Sequence, residues 1–155
     1  MTKLKRVTAR WISILAVTAM LLAMLAGCGK KEETVTVRME QNGVVMEITM
    51  DATNDVITKW VQKSTISGLD EETMAGLEAT IKATEDTYAA YEKVDYKMEK
   101  TGDSLIETIT IDMSDSATVK ALADAGLMPV SGNSDRISLK LTVQGFKDQG
   151  YTVVE

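Results

Sequence analysis

The sequence predicts an α+β fold, an antiparallel sheet of about five to six strands (a meander plus a second hairpin) with two to three helices packed on one face. Three observations lead to it. Residues 34–66 alternate apolar and polar side chains around two asparagine-containing turns. Residues 70–92 change to a spacing of three and four. After residue 94 the alternation returns, and the chain then turns helical again.

The first strand is TVTVRME, residues 34–40, with Val35, Val37 and Met39 on one face and Thr34, Thr36, Arg38 and Glu40 on the other. Gln41-Asn42-Gly43 follows, and Asn-Gly is the strongest short hairpin signal because both residues tolerate positive φ. VVMEITMD resumes the alternation through Met46, Ile48 and Met50. Thr53-Asn54-Asp55 makes the next turn, and VITKWVQKSTI is a third strand with Trp60 and Val61 on opposite faces. In the helix, Asp70 caps a first turn that carries Glu71 and Glu72. Met74, Leu77, Ile81, Thr84, Tyr88 and Tyr91 then form the stripe that lies on the sheet. Gly76 inside this helix costs up to ~1 kcal/mol relative to alanine.

VDYKMEK alternates through Val94, Tyr96 and Met98, and Thr101-Gly102-Asp103 turns it into SLIETITIDM. There Leu105, Ile109, Ile111 and Met113 share a face. Asp115 or Ser116 caps a short helix, ATVKALADA, which Gly126 closes before Leu127-Met128-Pro129 and the loop SGNSD. Residues 137–150, ISLKLTVQGFKDQG, fit two patterns. Ile137, Leu139, Leu141 and Val143 alternate as in a strand, whereas Leu139, Val143 and Phe146 share a helical face. Helix is the reading adopted, capped by Ser138 and closed by Gly150, because YTVVE then becomes a final strand.

The N-terminal segment belongs to a different category. Lys3, Lys5, Arg6 and Arg10 precede WISILAVTAMLLAMLA, residues 11–26, which carries no charge. This is the build of a secretory signal, and sixteen residues fall short of the ~20 that a spanning helix needs. A transmembrane anchor is the competing reading. Leu25-Ala26-Gly27-Cys28 then fits the bacterial lipobox, and its resemblance to a type II lipoprotein signal implies the next steps. Leu25, Ala26 and Gly27 are read by the signal peptidase, a diacylglycerol joins the Cys28 sulfur, and the chain is cut before Cys28. Acyl chains such as palmitate stabilise membrane attachment by ~0.8 kcal/mol per buried CH₂, and two or three anchor firmly where one does not. The organisation is therefore 1–27 signal peptide, 28–33 lipidated cysteine and tether, and 34–155 a single domain. The localisation is the bacterial cell membrane, lipid-anchored and facing outside the cytoplasm.

Removing residues 1–27 leaves 17 − 4 = 13 Lys and Arg against 23 Asp and Glu, which moves the net charge from −6 to −10. So acidic a chain disfavours nucleic acid as a partner, since phosphate contacts need basic patches. It also leaves membrane contact to the lipid on Cys28 rather than to surface charge. A protein or the wall remains open as a partner. Cys28 is the single cysteine, so the domain holds no disulfide, which its size allows.

The LAGC lipobox, the charged tether and the tyrosine-ending helix before a charged hairpin resemble the YehR-like small bacterial lipoproteins, which carry a domain of unknown function. The segment Thr108-Ile109-Thr110-Ile111-Asp112-Met113 followed by Lys120-Ala121-Leu122 is the most family-like internal stretch. Gly145-Phe146-Lys147 with Gly150-Tyr151 is similar to the family's helix-then-strand ending. Residues 123–135 depart from the pattern. The resemblance implies a lipid-anchored α+β domain in the envelope and brings no site residue beyond Cys28.

Candidate chemistry is sparse. The chain has no histidine, which removes His-based triads, the commonest metal ligand and the side chain most easily tuned near neutral pH. Asp51-Ala52-Thr53-Asn54-Asp55 lacks the glycine and distal glutamate of a calcium loop and reads as a turn. Asp112 and Asp115 read as a strand end and a helix cap, leaving only Asp124 for a cation cluster. Trp60, Tyr88, Tyr91, Tyr96 and Phe146 sit at core spacing. Met39, Met46, Met50, Met98 and Met113 occupy alternating strand positions as pliable filler rather than as copper ligands. No catalytic, cofactor-binding or metal residue is assigned. The expectation is a non-enzymatic binding or accessory module, with a structural or stress-related envelope protein as the alternative and a carboxylate-dependent hydrolase last.

Overall fold

The computed structural model describes residues 30–128 and 136–154, with the side chain of Glu78 left aside. The expected signal segment, Cys28 and the residues SGNSD lie outside them. The elements run β1 (Glu32–Gln41), β2 (Val44–Thr53), β3 (Val56–Ile66), α1 (Glu71–Tyr88), β4 (Val94–Thr101), β5 (Ser104–Asp112), α2 (Ser116–Asp124), α3 (Leu139–Asp148) and β6 (Thr152–Val154). The six strands form one antiparallel sheet in the order β4-β5-β3-β2-β1-β6. The α+β class, the meander, the second hairpin and the final strand all stand as the sequence predicts.

Turn chemistry sets the register. Asn42 and Gly43 both have positive φ, 52° and 78°, as a type I′ hairpin requires, and pair Gln41 with Val44. Asn54 and Asp55 repeat this at 53° and 69° without a glycine, which only a residue such as Asn or Asp does at low cost. β1 begins at Glu32, two residues before the expected Thr34, because Glu32 and Glu33 pair with Thr53 and Ala52.

Strict alternation fails once. Asp51 pairs with Lys59 while Ala52 pairs with Ile57, so Thr58 is the extra residue of a β-bulge. Its hydroxyl donates to the Asp51 carbonyl at 3.2 Å, and its own carbonyl accepts from the Met113 amide at 3.0 Å. The bulge lets Ile57 and Trp60 both point into the core from positions three apart.

One face of the sheet is covered. Trp60 on β3 and Tyr96 on β4 pair with Ile111 and Ile109 of β5, two residues apart and therefore on the same side. Phe146 of α3 lies against Trp60 with ring centroids 5.8 Å apart, and Tyr88 of α1 stacks on Tyr96 at 5.5 Å. Val119 and Leu122 of α2 join the same core. The opposite face carries threonines and charges, with Arg38 paired to Glu40 and Glu47.

The helices start as the sequence predicts. Asp70 accepts from the Thr73 amide at 2.8 Å, Asp115 from the Thr118 amide, and Ser138 from the Leu141 amide. The first helix ends at Tyr88, short of the expected residue 92. The Tyr91 amide bonds back to the Tyr88 carbonyl and Val94 to Tyr91, so the chain is already turning into β4. Tyr91 packs on the core from that turn rather than from the helix.

Residues 139–148 are helical. Asp55, more than 80 residues earlier, caps this helix: its carboxylate accepts from the Ser138 hydroxyl at 2.8 Å and the Lys140 amide at 3.0 Å. Its main-chain carbonyl accepts from Leu139 at 2.9 Å. Leu139 is 1% exposed and Leu141 76%, a helical separation that a strand, which would put both on one face, does not give.

Two outcomes follow. In urea denaturation Leu139→Ala costs ~2–5 kcal/mol by cavity formation, whereas Leu141→Ala stays within ~0.5 kcal/mol. The hydrogen bonds from Lys140 and Ser138 hold the Asp55 carboxyl below its ordinary 3.8. A depressed carboxyl contributes stability that is present above the unfolded value and lost as pH falls through the folded one. Asp55→Asn, which keeps a residue tolerant of positive φ, therefore loses less stability than wild type between pH 5 and pH 2, read by denaturation midpoints across that range.

Candidate functional site

The domain's entry point is well placed. The Lys31 amide donates to the Asn54 side chain at 3.0 Å, and the Asn54 amide returns a bond to the Lys31 carbonyl at 2.8 Å. The β2–β3 turn thus holds the residue where the chain enters the sheet. Leu25, Ala26, Gly27 and Cys28 fall outside the described residues.

The acids weighed in the sequence have local tasks. Asp51 accepts from the Thr34 hydroxyl at 2.7 Å, and Asp124 pairs with Lys120 at 2.7 Å. Asp112 accepts from the Ser114 amide at 3.0 Å and from its hydroxyl, which lowers its pKa. Asp115 is lowered by the Thr118 hydroxyl and amides of the first α2 turn. Among the described residues no group of three or more Asp, Glu, Cys or His gathers into a metal-binding cluster. Trp60 and Phe146 are buried, and Phe146 also meets Tyr151 edge-on at 4.8 Å. The Tyr151 hydroxyl donates to the Met46 sulfur at 3.1 Å. Met50 and Met113 are buried, while Met39, Met46 and Met98 are half-buried.

The one departure from an ordinary core lies under α1. Met74 and Tyr88, near the two ends of the helix, are buried, but Leu77, Ile81 and Thr84 between them are only half-buried. The sheet below is partly polar. Ser64 pairs across strands with Glu107, and both occupy inward positions, two residues from Gln62 and Ile109. Between helix and sheet runs a groove of two adjoining hollows, about 500 and 160 Å³, which share Ile81, Tyr96, Met98 and Leu105 as walls. The smaller is lined by Ser64, Leu77, Thr84 and Glu107, and the larger opens past Met74, Glu85 and the exposed Lys97, Glu99 and Lys100.

Tyr96 sits where the hollows meet. Its hydroxyl is shielded from solvent and makes no hydrogen bond to any described residue. Burial, then the negative charge of Glu107 and the approach of its carboxylate to the hydroxyl, push the phenol up to about 12, although the pair falls short of good hydrogen-bond geometry. A buried hydroxyl left in this state costs ~1–3 kcal/mol. Glu107 is itself half-buried. The groove combines apolar walls with a few convergent polar groups, the usual composition of a small-molecule site.

Alternation alone names Leu105, Ile109 and Ile111 as the inward set of β5 and passes over Glu107 between them. Gln62, Ser64 and Glu107 at inward positions are the signal that strand periodicity leaves unexplained.

Comparison with known proteins gives the following. The family described as "Protein of unknown function (DUF1307)" matches residues 33–152. Uncharacterized lipoprotein Lmo0207 of Listeria monocytogenes is 31% identical over 133 residues, covering 84% of this chain and 87% of its own. Uncharacterized lipoprotein Lin0239 of Listeria innocua is 28% identical over 153 residues, 97% of this chain and 96% of its own. The NMR structure of the Escherichia coli YehR protein shares the fold, with a TM-score of 0.58 at 21% identity over 81% of this chain and 93% of its own. So does that of a protein from Streptococcus pneumoniae TIGR4, with a TM-score of 0.56 at 13% identity over 80% of this chain and 86% of its own.

Removing the unpartnered hydroxyl tests the groove's geometry. Tyr96→Phe keeps the ring stacked on Tyr88 and is as stable as wild type or more so, by up to ~1–3 kcal/mol in urea denaturation. A loss of stability instead means that the hydroxyl is bonded in solution.

Proposed function

The chain belongs to the DUF1307 family, and on that premise we propose that it is a bacterial envelope protein held to the membrane by lipid on Cys28. It faces outside the cytoplasm and acts as a non-enzymatic binding or accessory module. The observation that carries the anchoring is Cys28 itself, a lone thiol placed directly after a basic n-region, an uncharged run and the small residues Ala26 and Gly27. The relatives named as lipoproteins support it, and the Listeria innocua match is too long to leave Leu25–Cys28 outside it. Among the described residues no helix is long and apolar enough to cross a membrane.

The binding reading rests on the groove. Its phenol is closed off from solvent and displaced upward, so it is a weak nucleophile even with Glu107 beside it. A hydrolase working through carboxylates needs one acid held above its ordinary value. The aspartates with displaced pKa values, Asp55, Asp70, Asp112 and Asp115, are all displaced downward by hydroxyls and amides.

Replacing Cys28 by alanine and labelling cells with radioactive palmitate tests the anchor. The wild type takes up label and fractionates with membranes at the cleaved size. The Cys28→Ala chain takes up none and keeps its signal segment. Equal labelling of the two chains, or an unlabelled wild type, refutes the anchoring.

A further inference from the structure

We propose that the groove between α1 and the sheet binds a primary ammonium group carried on an apolar stem, with Glu107 and Ser64 receiving the charged head. The inference deepens the binding-module reading and is independent of the lipid on Cys28.

The polar groups of the floor determine the class of head. Glu107 offers acceptor oxygens, and the Ser64 hydroxyl, its register partner, lines the same hollow. An ammonium has donors and no acceptor, so a carboxylate and a hydroxyl oxygen match it. The Tyr96 hydroxyl is closed off from solvent and stands against Glu107 rather than open to the head. Met98 faces Glu107 from β4 and closes the other side of the floor.

Charge excludes the opposite class. The floor's single formal charge is the half-buried Glu107 carboxylate, and Glu85 lines the approach. Lys97 and Lys100 stand at the mouth but are exposed, where solvent screens them. An anionic head on the floor would therefore meet the Glu107 carboxylate, whereas Lys100, on the same face of β4 as Met98, is exposed at the outer hollow.

The walls determine the stem. Met74, Leu77 and Ile81 from α1 face Met98 and Leu105 from the sheet, all apolar and two of them methionines that adapt to irregular shapes. The stem replaces the contacts that α1 does not make along its half-buried middle.

Calorimetric titration of the full-length chain in zwitterionic nanodiscs, with empty discs as reference, tests this using n-hexylammonium, n-hexanol and hexanoate. The expected result is saturable binding of hexylammonium, weaker binding of hexanol and none of hexanoate. Glu107→Gln weakens hexylammonium about tenfold or more, the loss of a charge-assisted hydrogen bond. Ser64→Ala weakens it by a smaller factor while the thermal midpoint of the free protein holds. Thermal melts of both variants separate loss of binding from loss of fold. The proposal is overturned if hexanoate binds as well as the amine, if Glu107→Gln leaves amine binding unchanged, or if no saturable heat appears. None of these results alters the palmitate labelling by which the anchor is judged.

Discussion

The structure depends on one turn. Asn54 and Asp55 both hold left-handed backbone between β2 and β3, and each then uses its side chain to tie down a distant segment. Asn54 clasps Lys31, where the chain enters the sheet, and Asp55 caps α3 through Ser138 and Lys140. Two residues therefore position the start of β1 and the start of the last helix. The position of α3 in turn puts Phe146 on Trp60 and brings Tyr151 down beside Met46, from which β6 runs along β1. A turn with two glycines would close the same hairpin but would lack the carboxylate and amide that carry these bonds. The residues pay for positive φ with hydrogen bonds that only their side chains supply.

Much of this was readable in the sequence for a simple reason. Strands with one wet face must alternate, and Val35, Val37, Met46, Ile48 and Met50 do so without exception. Caps are equally local, so Asp70, Asp115 and Ser138 identify three helix starts. What stayed hidden is non-local. Residues 137–150 satisfy both periods, and the helix is selected by Ser138 together with Asp55, whose approach depends on the whole meander. The end of α1 was overextended because Tyr91 continues the stripe, although the chain must already turn to reach Val94. The bulge at Thr58 was invisible because its reason is the Met113 amide on another strand.

The groove was hidden for a related reason. A helix stripe of Met74, Leu77, Ile81, Thr84 and Tyr88 reads as continuous contact, but contact requires an apolar surface opposite. Ser64 and Glu107 deny it that surface in the middle, so α1 closes at its two ends and stands off between them. Burying a carboxylate and a phenol there lowers stability, and the Trp60 side of the sheet, packed with Ile111, Met113 and Leu122, supplies the compensation. A fold selected for stability alone would carry a leucine in place of Glu107. On the proposed binding reading, the polar floor serves the ligand rather than the fold.

The two ends of the sheet are well separated. Lys31 and the Asn54-Asp55 turn lie at one end of the strands, whereas Ser64 is seven residues farther along β3 than Ile57, ~23 Å at the rise of a strand. On the proposed anchoring, only Cys28, Gly29 and Lys30 separate the lipid from Lys31, a reach of ~10 Å even fully extended. On the proposed reading, anchor and groove use opposite ends of a single sheet: the end at Lys31 leads to the lipid, and the end at Ser64 and Glu107 is left for a ligand.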